Sequence, residues 1–178
     1  HADCDDLKPA WSPADSRIGF IRRKEQSFEI WWTTFPTGGE KFIHALRRKG
    51  NLGGFGLDWS PDGKYIVFED LPESGRSQTA IHLLNTSTLE ATQVSFPARE
   101  EVVSGDTLPT FSPDGTEIAF FRGDHAGQVF RVCIQAIRGV SPAEEIRYVT
   151  GPIAIPYSLD YSPDGTELIF TNYESLWR

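Results

Sequence analysis

Histidine, cysteine and aspartate are the residue types of this chain that could do chemistry. His44, His82 and His125 recur about once every fifty residues, and histidines at matching places in a repeat could form a ring of metal ligands. They stand 33, 23 and 14 residues after Trp11, Trp59 and Phe111, so they are not a repeated ligand set and read as three unrelated side chains. His125, between Asp124 and Ala126, is the one expected to titrate freely in an exposed loop. Cys4 and Cys133 lack metal-ligand spacing. Cys133, within the strand-like run Val129–Ile134, is expected as a small buried hydrophobe, and its pairing with Cys4 stays open. There is no Gly-x-Ser-x-Gly elbow, no His-Glu-x-x-His and no paired cysteine motif. The expectation is a segment with no catalytic residues, no metal and no cofactor.

The aspartates fall into two sets. Asp58 and Asp160 stand immediately before Trp59 and Tyr161, where Ala10 and Thr110 stand before Trp11 and Phe111. An aspartate there could line an axial channel and hold a cation or basic group, or could accept from neighbouring backbone N–H groups; the structural role is favoured. Asp62, Asp114 and Asp164 lie in Ser-Pro-Asp-Gly segments and are expected to bond their own backbone.

These residues are positioned by a phrase stated four times. Trp59-Ser60-Pro61-Asp62-Gly63 leads to Ile66 and Phe68, Phe111-Ser112-Pro113-Asp114-Gly115 to Ile118 and Phe120, and Tyr161-Ser162-Pro163-Asp164-Gly165 to Leu168 and Phe170. Trp11-Ser12-Pro13, with Ile18 and Phe20, is the first copy. The aromatics are 48, 52 and 50 residues apart, a period expected of propellers and solenoids. Proline presets φ in a tight turn and glycine supplies the positive φ that ends it. The phrase therefore predicts a strand, a hairpin turn and a second strand with its aliphatic residue and Phe on one face. In the first copy Ala14-Asp15-Ser16 replaces Asp-Gly, which predicts a turn of another kind. Regular recurrence makes Trp11, Trp59, Phe111 and Tyr161 core residues between units rather than ligand platforms.

Four antiparallel strands are expected per unit: residues 1–50, 51–104 and 105–152, with a fourth unit starting at 153–178. In the first unit these are Trp11, Arg17 to Ile21, Phe28 to Thr33 and Glu40 to Leu46, with His1 to Pro9 an acidic connection. The basic clusters Arg22-Arg23-Lys24 and Arg47-Arg48-Lys49 fall where loops are expected. Four-stranded units of this length pack face to face around an axis as propeller blades. The whole chain is thus expected to be all-β, about three and a half blades of a larger ring. The remaining blades would come from the same chain or a second copy.

A net charge of −8 and a pI near 5.0 argue against direct nucleic-acid binding. No run approaches the roughly 18 apolar residues of a membrane span and no signal peptide is visible, so membrane contact by this segment is not expected.

The phrase aromatic-Ser-Pro-Asp-Gly-x-x-Ile-x-Phe, followed by Ile30-Trp31 or Leu176-Trp177 strands, resembles the TolB-like (WD40-like) β-propeller repeat over essentially the whole chain. Leu57-Asp58-Trp59-Ser60-Pro61-Asp62-Gly63 and Ser175-Leu176-Trp177-Arg178 are similar to C-terminal propellers of bacterial winged-helix regulators and receptor kinases. The resemblance implies a scaffold whose repeat residues are structural. It also implies a non-catalytic protein-interaction or sensory module joined to a separate effector domain, in a bacterial periplasmic or otherwise extracytoplasmic setting, with the cytoplasm as the alternative. The alternative function is the gating propeller of a prolyl-oligopeptidase-like hydrolase whose catalytic domain lies outside these residues.

Up-and-down strand order puts a recognition surface on the loops opposite the Ser-Pro-Asp-Gly turns, where scaffolds usually carry binding. The residues expected there are Arg22, Arg23, Lys24, Arg47, Arg48, Glu73, Arg76, Glu100, Glu101, Asp124 and His125. Their mixed signs suit a protein partner better than one small ligand.

Overall fold

The computed structural model describes residues 4–49, 55–75, 77–97, 105–123, 129–138, 141–172 and 176–177. The phrase folds as its residues dictate. In its second, third and fourth copies Gly63, Gly115 and Gly165 have φ of 68°, 72° and 72°, the left-handed region that glycine enters without penalty. Each glycine N–H donates to the carbonyl of the phrase serine at 2.8–2.9 Å. The serine hydroxyl ties the turn together. Ser60 Oγ donates to Asp62 Oδ1 and accepts from Tyr65 N; Ser112 and Ser162 repeat both bonds. In the first copy Ser12 N still donates to the carbonyl five residues on, at 2.8 Å. Asp15, at the glycine position, accepts instead from Arg17 N and its guanidinium, so the loop keeps its length with different chemistry.

The turns join strands into four antiparallel sheets. The first contains β1 (Cys4–Trp11), β2 (Arg17–Lys24), β3 (Ser27–Thr34) and β4 (Gly39–Lys49). The second contains β5 (Leu57–Trp59), β6 (Tyr65–Asp70), β7 (Ala80–Asn85) and β8 (Ala91–Gln93). The third contains β9 (Asp106–Phe111), β10 (Glu117–Gly123), β11 (Val129–Arg138) and β12 (Ser141–Tyr148), with β13 (Ile153–Ala154) pairing to β11. The fourth contains β14 (Pro156–Tyr161), β15 (Leu168–Asn172) and β16 (Leu176–Trp177). No helix occurs among the described residues, and so none there is long and apolar enough to cross a membrane. The four sheets are arranged as blades of a β-propeller, and the phrase aromatic pairs with its aliphatic in every one: Trp11 with Ile18, Trp59 with Ile66, Phe111 with Ile118, Tyr161 with Leu168.

Both faces of the middle sheets are covered, so β6 and β7 are buried almost throughout rather than alternating, Glu69, Asp70 and His82 included. Ile21, Ile30, Trp32 and Leu46 of the first sheet meet Trp59, Ile66 and Phe68 of the second. Val67, Ile81 and Leu83 meet Phe111, Ile118 and Phe120 of the third, and Phe121, Phe130 and Val132 meet Phe170 of the fourth. Trp59 and Phe111 thus pack on the preceding sheet. Trp59 is the clearest case: it is buried, and its Nε1 donates to the Ala10 carbonyl at 3.0 Å. Trp11 departs from the expected core role, being 55% exposed and packed on Phe35 at 5.7 Å; no described sheet lies on that face to receive it.

Two further expectations change. His1 to Pro9 is not only a connection, because β1 begins at Cys4 and pairs with β2. The basic clusters are not in loops either: Arg22, Arg23 and Lys24 belong to β2, and Arg47, Arg48 and Lys49 to β4. Charge alone suggests solvent, but the exposed carboxylates of Asp6 and Glu40 opposite Arg22 and the buried carboxylate of Glu69 opposite Arg48 let those strands run on.

Candidate functional site

The first strand of each sheet is its axial edge, and these four edges surround one cavity of about 260 Å³. Lys8, Asp58, Thr110, Tyr157, Ser158 and Asp160 supply its polar lining. Both aspartates that precede a phrase aromatic therefore face the same axial space. Asp58 is also a clasp between sheets: one oxygen accepts from Trp59 N, and the other from Thr110 Oγ1 and Phe111 N of the third sheet, at 2.8–3.0 Å. Burial pushes its carboxyl above the ordinary range, the three donors pull it back, and the charge of Asp160 adds to the rise. Asp160 is exposed, accepts from its own Tyr161 N through one oxygen and lines the cavity.

The axial edges are irregular. β1 is bulged between Leu7 and Ala10, β9 opposite Ala119 and Phe121, and β14 between Pro156 and Ser158. Lys8 and Leu108, three residues before their phrase aromatics and each followed by proline, have φ of 52° and 53°. Bulges re-aim side chains and free backbone groups. The freed Leu108 N–H donates to Glu69 Oε2 of the second sheet, as does Thr107 Oγ1. Glu69 also takes the Arg48 guanidinium of the first sheet at 2.5 Å, so one buried carboxylate links three consecutive sheets.

The predicted binding residues divide by environment. Arg22 is buried, forked onto Asp6 at 2.8 Å and onto Glu40, with its guanidinium over Phe20 and Trp31. Arg48 is buried against Glu69 and Phe55. Arg23 pairs with Asp5 and Lys24 with Glu29. Arg47 and Glu73 form an exposed pair at 2.6 Å on the rim. Arg76, Glu100, Glu101, Asp124 and His125 lie outside the described residues. The structure brings Arg47, Arg48 and Glu73 together at the end of the first seam and leaves Arg22 in a separate cluster.

The other repeat residues occupy the turns. Pro61 and Pro113 each receive the glycine of the next turn, Gly115 and Gly165, while Gly63 sits on Ala14. Asp62 and Asp164 are held down at about 2, chiefly by the hydroxyls of Ser60 and Ser162, and Asp114 is lowered first by the Thr116 N–H. Pro163 and Tyr161 belong to the fourth turn, and the Tyr161 hydroxyl is buried within the third seam. Cys133 is free and buried, its thiol pushed up to about 12 by burial.

The first and third sheets share a further pattern. Asp6 and Asp106 stand five residues before Trp11 and Phe111, Arg22 and Arg122 eleven after them, and each Asp–Arg couple is a bidentate pair on adjoining strands. The second and fourth copies carry Asp58 and Asp160 instead. The signal was present as matched offsets in alternate copies of the phrase.

No protein-family model matches the sequence, and no curated protein matches it either. Solved structures do. TolB from Acinetobacter baumannii superposes with a TM-score of 0.71 at 18% identity, over 96% of this chain and 39% of that one. A putative TolB from Agrobacterium tumefaciens gives 0.70 at 20% identity, over 97% and 61%. The chain has the TolB-like β-propeller fold. It spans between about two-fifths and three-fifths of those two proteins. A prolyl endopeptidase structure also matches, with a TM-score of 0.58 at 18% identity, over 94% of this chain and 26% of that one.

Proposed function

We propose that this TolB-like propeller is a non-catalytic protein-recognition or sensory module, joined to a separate effector domain and working in an extracytoplasmic, periplasmic setting. The observation that carries the reading is the mixed-sign axial cavity, where Lys8, Asp58 and Asp160 converge from three different sheets. Such a lining suits a polar protein segment. Other features support it. The serine hydroxyls of the phrase are committed to their turns, Cys133 stays a thiol at neutral pH, and His82 is buried away from the cavity.

A second reading, a gating propeller of a prolyl-oligopeptidase-like hydrolase, is favoured by the prolyl endopeptidase match. A fluorophosphonate probe applied to the gene product separates the two. Recognition predicts no labelled serine, together with a discrete protein adduct from a photo-crosslinker at Tyr157. A labelled serine, with no adduct at Tyr157, overturns the recognition reading in favour of the hydrolase.

A further inference from the structure

Phe68 of β6 is fully buried in the seam between the first two sheets and is flanked by two imidazoles. His44 of β4 and His82 of β7 each lie 5.5 Å from it between ring centroids. His82 donates from Nδ1 to the Ala80 carbonyl at 3.1 Å. The Nε2 atoms of both histidines are buried and have no hydrogen-bond partner among the described residues. Buried polar atoms are nearly always satisfied, so two such atoms in one apolar stack mark a place built for neutral imidazole.

Among the described residues the charged groups that act on the stack are Asp70 from β6 and Arg47 from β4, and the His44 ring acts on His82. Asp70 is fully buried and already engaged across the seam: its two oxygens accept from Arg47 N at 2.9 Å each and from Arg48 N at 3.0 Å. Those bonds latch the end of β4 to the second sheet.

We propose that proton uptake by the His44–His82 pair releases this latch, so that the end of β4 is held at neutral pH and freed in acid. A second positive charge beside Arg47 in an apolar seam must find water or Asp70. Water requires the seam to open, and recruiting Asp70 takes it from the two amides; both routes free the Arg47 and Arg48 N–H groups to exchange, while the Arg48 side chain stays on Glu69. Burial holds both imidazoles below their ordinary range, more than Asp70 raises them, which favours the neutral, latched form. The proposal rests on the recognition reading only for its consequence, because the freed end carries rim residue Arg47.

Amide hydrogen exchange on this chain tests the latch without any partner. After correction for intrinsic rates, exchange at Arg47 and Arg48 is expected to accelerate about tenfold or more relative to Phe111 in the next seam as pH falls from 7 to 5. His44→Gln with His82→Gln abolishes that relative acceleration. If the double variant does not fold, His44→Gln alone, at a half-buried site, carries the same test. Equal acceleration in both seams, or acceleration that survives the histidine substitution, overturns the proposal. A failure of recognition would show instead as a missing adduct at Tyr157 with the latch intact.

Discussion

The buried carboxylate of Glu69 meets the buried guanidinium of Arg48 at 2.5 Å across the seam between the first two sheets. Removing one partner of a buried pair strands the other charge, at a cost of about 3–5 kcal/mol. Glu69→Gln and Arg48→Met are each expected to lose stability of that order by urea denaturation. The double variant is expected to lose far less than their sum. Additive losses would mean that the two side chains do not act as a pair.

Glycine positions give a graded series. Gly38 has φ of 74° and open space around its Cβ direction, so Gly38→Ala meets only backbone strain, about 1 kcal/mol. At Gly63 an added Cβ comes 2.8 Å from Ala14 Cβ of the preceding turn, and the loss should rise to about 2–3 kcal/mol. At Gly105 it meets the Thr79 carbonyl at 2.2 Å, which demands backbone movement and the largest loss. Thermal melts of the three variants check the order 38, 63, 105.

Much of this architecture was legible in the sequence. The spacing of Trp11, Trp59, Phe111 and Tyr161 gave the repeat, and Ser-Pro-Asp-Gly gave the turn, because those residues act through local φ preferences and local hydrogen bonds. What Arg22 and Arg48 do was not legible. Local composition placed them in solvent, whereas Asp6, Glu40 and Glu69, distant in sequence, bury them in strands. Asp58 was legible in place but not in its bonds, since its partners Thr110 and Phe111 come from the next copy.

The Asp58 clasp predicts a local effect. Asp58→Ala leaves Phe111 N and Thr110 Oγ1 without their acceptor and is expected to cost about 1–3 kcal/mol. Asp58→Asn keeps an acceptor oxygen and should cost less. Equal losses in the two variants would contradict the clasp.

The lowered histidines and the turn aspartates give two windows of one sign, and Asp58, raised by burial, acts with the opposite sign as pH falls. His44 and His82 are lowered in the folded chain, so the unfolded chain binds more protons once pH falls below its histidine value of about 6.5. Their contribution is complete above that value and is lost as pH falls toward the lower folded values. Asp62 and Asp164, held at about 2, contribute above their unfolded value and lose that contribution only as pH falls from about 3.9 through the folded value. Denaturant midpoints should therefore drop first below pH 6.5, and the His44→Gln/His82→Gln variant should lack that first drop.

Recognition by axial side chains, with the seams serving stability, is tested most directly by measuring both properties in one pair of variants. Lys8→Glu with Asp160→Lys changes exposed axial charges, and Glu69→Gln breaks a seam. The axial variant should keep its melting temperature within about 2 °C and lose the Tyr157 photo-adduct, whereas the seam variant should melt lower and keep the adduct below its transition. An unchanged adduct in the axial variant, with loss only in the seam variant, would contradict recognition by axial side chains.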